Sequence, residues 1–176
     1  MFGLFGAIWG IGGICLLLAF TITRLLPISL EALDFSWAWN HWASLIFNTL
    51  VMAYYEGYKG FQKGFSPRLA ARARYLKSNP KGLHVLLAPL FCAGYFYSTK
   101  RRQLSIILLT LFIIIAVVLV GELRQPWRGI VDAGVVLGLA WGLVSTALFS
   151  FTALTASEFN HATDLINPAK KAGPFS

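Results

Sequence analysis

Glu56 is the side chain in this sequence best placed to do chemistry. It sits near one end of an apolar stretch, 39–58, that also carries Asn48 and Thr49. A carboxylate in or beside a membrane-length run is costly unless paired or facing water, so it marks either an ion or proton path or an interfacial ion pair. Gly57 and Lys59 adjoin it, and an ion pair with the following basic residues is the preferred reading. Three histidines, His41, His84 and His161, raise the question of haem or metal. His41 belongs to one end of its apolar run and His84 opens a run at the other, so a shared ion between them is not expected. No HExxH or HxxxH occurs. Cys15 and Cys92 lie in apolar stretches without a CxxC, which reads as two packed thiols rather than a disulfide or zinc framework. Asp132 follows Arg124, Trp127 and Arg128. A first-turn acid and an arginine four residues earlier explain each other through the helix dipole and an i,i+4 pair, and an anion or headgroup site is the sharper alternative. No GxSxG, Walker A or GxGxxG pattern is present. The expectation is therefore a non-enzymatic protein without metal or cofactor. A small transporter or channel using Asn48, Thr49 and Glu56, and a lipid-headgroup enzyme using Glu56 and His84, stand as alternatives.

The densest chemistry is electrostatic. Lys63, Arg68, Arg72, Arg74 and Lys77 follow one another with no acid between them, and Arg101 and Arg102 come later. Near an anionic leaflet each such residue contributes about 1 kcal/mol. Phe65, Leu69, Ala73 and Leu76 recur at helical spacing among these charges. Ser66-Pro67 reads as a helix start, with serine capping and proline at the first position, and Asn79-Pro80 as a stop. A basic amphipathic helix lying on the membrane is expected inside a cytoplasmic loop, 59–82, that engages anionic lipid or a protein partner. The net charge of +8 reads as cytoplasmic-side bias rather than as a nucleic-acid footprint.

The elements that must hold these residues are membrane helices. Only 12% of the 176 residues are charged and 57% are hydrophobic, against about 25% charged in a typical soluble domain. The expected class is all-α, a polytopic bundle with spans at about 2–23, 39–58, 104–120 and 131–153, in a single domain, 1–156. The run 2–23 lacks the basic start of a signal peptide and reads as a retained helix. Gly6 and Gly10 form one small-residue stripe; Gly134, Gly138 and Gly142, continued by Thr146 and Ser150, form another. Such stripes let backbones approach closely, and contact between the first and last helices through them is expected.

The run 83–99 is short, is interrupted by Pro89, and is followed at once by Lys100, Arg101 and Arg102. If it turned back as a re-entrant hairpin, those three residues would join the basic loop on one side, leaving Arg24, Arg124 and Arg128 opposite. A fifth crossing would split the charges more evenly, so four spans with the N-terminus and the basic loop cytoplasmic are preferred. Residues 157–176 read as a loose polar tail. The function these features suggest is an accessory or scaffold subunit of a bacterial inner membrane, packing through its glycines against a partner protein or further copies of itself.

Overall fold

The computed structural model describes residues 2–80 and 82–156; Lys81 and the segment 157–176, with His161, Lys170 and Lys171, lie outside the described residues. The described chain is all-helical, without strands. Helix α1 covers Phe2–Glu31 and ends in a single 3-10 turn, Ala32–Asp34. It runs past the expected stop at residue 23, through Arg24 and Pro27. Ile22 and Leu25 still pack on the core, and Ile28 and Ala32 meet Gly129, so the buried face outlasts the apolar run.

From Trp39 the backbone stays helical for three consecutive segments: α2, Trp39–Met52; a π-helical segment, Ala53–Phe65; and α3, Ser66–Ser78. Two short helices follow, α4 (Gly82–Leu86) and α5 (Ala88–Ala93), then α6 (Lys100–Gly121) and α7 (Trp127–Thr155). Three helices are long and apolar enough to cross a membrane: Phe2–Asp34, Lys100–Gly121 and Trp127–Thr155.

Helix α7 organises the bundle, packing against α1 on one side and against the 39–78 helix on another. Gly3 of α1 abuts Lys77 O near the end of α3, while Gly129 at the start of α7 abuts Ile28 and Ala32. Helix α1 is therefore antiparallel to α7, and residues 39–78 run parallel to it. The core lies where α1, α3, α5 and α7 meet, with Leu69, Leu76, Phe91 and Cys92 almost fully covered. Helix α6 stands apart. None of its residues is buried, it is apolar on every side, and it touches α7 only weakly. An all-round apolar helix suits a surrounding of acyl chains.

Two expectations are corrected here. Residues 59–78 do not form a loop with a surface-lying helix. They continue the second helix along α7, and Ser66, Pro67, Leu69, Ala70, Ala71, Arg72, Ala73 and Leu76 are all buried. An α-helix does begin at Ser66 with Pro67 in its first turn, but Phe65 is already right-handed helical and Ser66 caps nothing. The start is a change from π to α within one continuous helix. Proline's fixed φ suits a helix, and the Ser66 hydroxyl has a buried partner elsewhere. The helix does stop at Ser78, where Asn79 leaves helical geometry just before Pro80. Second, the glycine stripes of α1 and α7 do not face each other. Gly6, Gly10 and Gly13 look at Val85, Cys92 and Pro89 of the α4–α5 segment, whereas Gly134, Gly138 and Gly142 look at Asn48, Glu56 and Phe61. Helices α1 and α7 meet instead through larger side chains such as Ile14, Leu18 and Leu139.

Candidate functional site

The polar chemistry gathers along the seam between residues 39–78 and α7. Asn48 opens it, its Nδ2 donating to Ile130 O at 2.8 Å and Val131 O at 3.3 Å, with Gly134 making room for the amide. Glu56 comes next. A Cβ on Gly138 would stand 2.6 Å from Glu56 Oε2, so the missing side chain is what lets the carboxyl fit. Phe61 fills the space over Gly142, where a Cβ would come 2.5 Å from the ring. Ser66 Oγ and Thr146 Oγ1 then share a buried hydrogen bond of 3.0 Å. On the flank, Trp141 Nε1 donates to Gln62 Oε1 at 2.8 Å. Along this seam Glu56, Phe61 and Ser66 step by five, while Gly138, Gly142 and Thr146 step by four. The π segment makes that possible, since its hydrogen bonds close over five residues, as from Ser66 N–H to Phe61 O.

The same five-residue step orders the opposite, exposed face. Lys59 Nζ sits over the rings of Tyr54 and Tyr55, 5.7 and 5.4 Å from their centroids, and Lys63 Nζ over Tyr58 at 4.6 Å. Tyr54 stacks with Tyr58 at 6.0 Å and meets Tyr55 edge-on at 5.1 Å. Tyr54 and Tyr55 are 49% and 61% exposed. Gly57 lies on Trp141 and Phe61 on Gly142, so this ladder stands level with the middle of the 29-residue α7. The aromatic residues of this segment are thus split: the tyrosines line an outer face level with the middle of α7, and Phe61 and Phe65 turn inward toward the core. Glu56 likewise does not turn its carboxyl toward Lys59 and Lys63. It is set against α7, and the neighbouring ammonium groups are engaged by tyrosine rings.

The basic residues are put to different uses. Lys63 is exposed on the ladder. Arg72, expected at the headgroups, is 2% exposed, and its guanidinium is held by the α5 hairpin. Arg74 and Lys77 close the end of α7: Arg74 donates to Ala153 O and Ala156 O, and Lys77 to Leu154 O. Cations at a helix C-terminus satisfy its last carbonyls and oppose its dipole. Arg68 is half-buried, its guanidinium close to Gly64. Arg101 is exposed and Arg102 half-buried in the first turn of α6.

Arg72 anchors a hairpin. Helix α5 ends at Gly94, whose φ of +98° is left-handed and open to glycine at little cost. Gly94 N–H donates to Phe91 O and Tyr95 N–H to Leu90 O, a Schellman closure. Arg72 Nη1 donates to Phe91 O at 3.0 Å and Phe96 O at 2.9 Å, and Nη2 to Ser98 Oγ. Ser98 Oγ bonds Gly94 O, and Gln103 Nε2 bonds Tyr95 O. Beyond the turn, Tyr97 lies edge-on to His84 at 4.7 Å, and His84 stacks on Phe91 at 4.9 Å. The chain has therefore come back beside its own entry.

At the other end of the bundle, His41 accepts from Ala38 N–H through Nδ1 and meets Trp127 edge-on at 4.9 Å; Trp37 packs on Trp42. Arg128 Nε lies 3.7 Å from Asp132 Oδ2, the i,i+4 pair. Among the described residues no three His, Cys, Asp or Glu side chains converge as metal ligands.

Sequence reasoning set Lys59 beside Glu56 rather than over the tyrosine rings, and passed over the Ser66–Thr146 and Gln62–Trp141 pairs. The five-residue spacing of Tyr54 with Lys59 and of Tyr58 with Lys63 is the signal that could have found the ladder. Comparison of the chain with protein-family models, curated proteins and solved structures finds no match.

Proposed function

We propose that this protein is a non-enzymatic subunit of a membrane assembly, built to present the tyrosine–lysine ladder of its π segment to a neighbouring protein. One observation carries the reading: two exposed lysines stand level with the middle of a helix long and apolar enough to span. A lysine at the bilayer centre costs about 2.5–3.5 kcal/mol on insertion scales. A desolvated cation–π contact returns about 2 kcal/mol. The rings therefore offset only part of the cost if acyl chains are the only neighbours, and the exposed tyrosine hydroxyls add to the mismatch. A protein surface on this face removes it.

The arrangement in the membrane is four spans, namely α1, the 39–65 helix, α6 and α7, with 82–99 as a re-entrant hairpin. The return of Tyr97 to His84 supports the hairpin, as does the pairing of its turn carbonyls by Arg72, Ser98 and Gln103. Irregular backbone at membrane depth requires such cover. Charge supports the orientation. Arg68, Arg72, Arg74, Lys77, Lys100, Arg101 and Arg102 gather toward one end, whereas Glu31, Asp34, Glu122 and Asp132 lie toward the other with Arg124 and Arg128. The basic end faces the cytoplasm, at a bacterial inner membrane, and its exposed charges rest on anionic headgroups. Protein extracted in mild detergent should migrate on a native gel together with a second protein. A clean monomer with nothing bound would defeat the reading. Cysteines replacing Arg101 and Glu122 should react with impermeant reagents from the cytoplasmic and opposite sides respectively.

A further inference from the structure

We infer that the partner seated on the ladder is a transmembrane helix of a different protein, carrying a carboxylate at the level of Lys59 and Lys63. This rests on the subunit reading above and names the chemistry of the surface that would complete it. Lys59, Lys63, Tyr54, Tyr55 and Tyr58 present two cations and three phenol rings, and Glu56 offers no acid to that face because its carboxyl is set against Gly138. The complement of two ammonium groups in a low-dielectric setting is a carboxylate, and the phenol hydroxyls can donate to the same oxygens.

Two other occupants fit less well. Lipid phosphates sit at the headgroup level, whereas this face stands beside the middle of α7. A second copy in the same membrane orientation would set lysine against lysine at this height. Among the described residues the other acids, Glu31, Asp34, Glu122 and Asp132, lie in or beside the 3-10 turn and the α6–α7 connection, at the far end of the bundle. A two-fold pair through the ladder would therefore bring like charges together.

The experiment uses the full chain in its native membranes, with a photoreactive residue replacing Tyr55 and, as a lipid-facing control, Phe112 of α6. Irradiation should give a protein adduct at 55 and not at 112, and the cross-linked peptide should lie in a spanning segment containing Asp or Glu. Lys59→Glu with Lys63→Glu should lower the adduct yield about tenfold or more, as like-charge contacts do. Lys59→Arg with Lys63→Arg should leave it unchanged, and thermal stability in detergent should be the same for both pairs, which separates lost docking from lost folding. A protein adduct on a segment without acid, or one indifferent to charge reversal, overturns the inference and leaves the subunit reading standing. An adduct with a second copy of the chain overturns the heterologous partner. An adduct with lipid alone overturns both.

Discussion

Replacing Gly142 by alanine tests the seam most directly, with Gly12→Ala as its control. A Cβ at Gly142 would lie 2.5–2.7 Å from three atoms of the Phe61 ring, whereas one at Gly12 would meet nothing within 4 Å. Both changes share the helix-propensity gain of at most about 1 kcal/mol, so that contribution cancels in the comparison. What remains is overpacking. Ordinary contact begins near 3.4 Å, so the ring and α7 must part by nearly an ångström or the ring must leave its rotamer. Forcing one methyl into a filled core costs about 1–3 kcal/mol. Phe61 has little freedom to yield, with Phe65 against it at 5.6 Å. Gly142→Ala should therefore be less stable than Gly12→Ala by about 1–3 kcal/mol. The assay is reversible unfolding in mixed micelles, followed by circular dichroism or by tryptophan fluorescence, for which Trp141 is an adjacent reporter. If the two variants unfold together, or Gly142→Ala is the more stable, the close approach of Phe61 to α7 is wrong.

Further outcomes follow from the same contacts. Arg72→Met should destabilise the fold by about 3 kcal/mol or more, because it leaves the Phe91 and Phe96 carbonyls buried without their charged donor, and Arg72→Lys should recover only part of this. Thermal melting in detergent measures the loss, and faster thiol labelling at Tyr97→Cys should accompany it if the hairpin opens. A double-mutant cycle of Ser66→Ala and Thr146→Val should give a coupling of about 0.6 kcal/mol, the usual size for an interhelical hydrogen bond in lipid. A coupling of zero would say that the two hydroxyls do not meet.

The apolar runs were legible because length and hydropathy are local properties. Helices α1, α6 and α7 all lie where unbroken hydrophobic residues place them, and the helix stop at Asn79-Pro80 follows from backbone chemistry. The stripe from Gly134 to Ser150 was visible too, since α7 has ordinary helical periodicity. Its partner was not, because a stripe states that something comes close and not what comes. Residues 59–78 misled for a different reason. Their charge reads as solvent-facing, yet Arg72, Arg74 and Lys77 bond to backbone carbonyls of α5, the hairpin turn and α7. Within a helix all but the last four carbonyls are taken by its own N–H groups, so only helix ends and turns leave carbonyls over. Which arginine reaches which leftover carbonyl depends on tertiary placement and leaves no periodic mark in the chain.

The π segment explains why the polar site was misread and supplies its sharpest test. On an α-helix, residues five apart point about 140° away from each other. Glu56, Phe61 and Ser66 would then share no face, and Glu56 would look toward Lys59 and Lys63, as an ion pair requires. Closing the hydrogen bonds over five residues brings Glu56, Phe61 and Ser66 onto one ridge and turns Lys59 and Lys63 onto the ring of the tyrosine five residues before each. One change of backbone geometry thus separates the acid from the bases, sending one to the glycine seam and the others outward. With Cys15 and Cys92 replaced by alanine, the pair Phe61→Cys and Gly142→Cys should oxidise readily to a disulfide, and Gln62→Cys with Gly142→Cys should not. If residues 53–65 were α-helical with Ser66 held on Thr146, Gln62, four residues before Ser66, would lie over Gly142. The preference would then reverse, and the ladder with its inferred acidic partner would lose its basis.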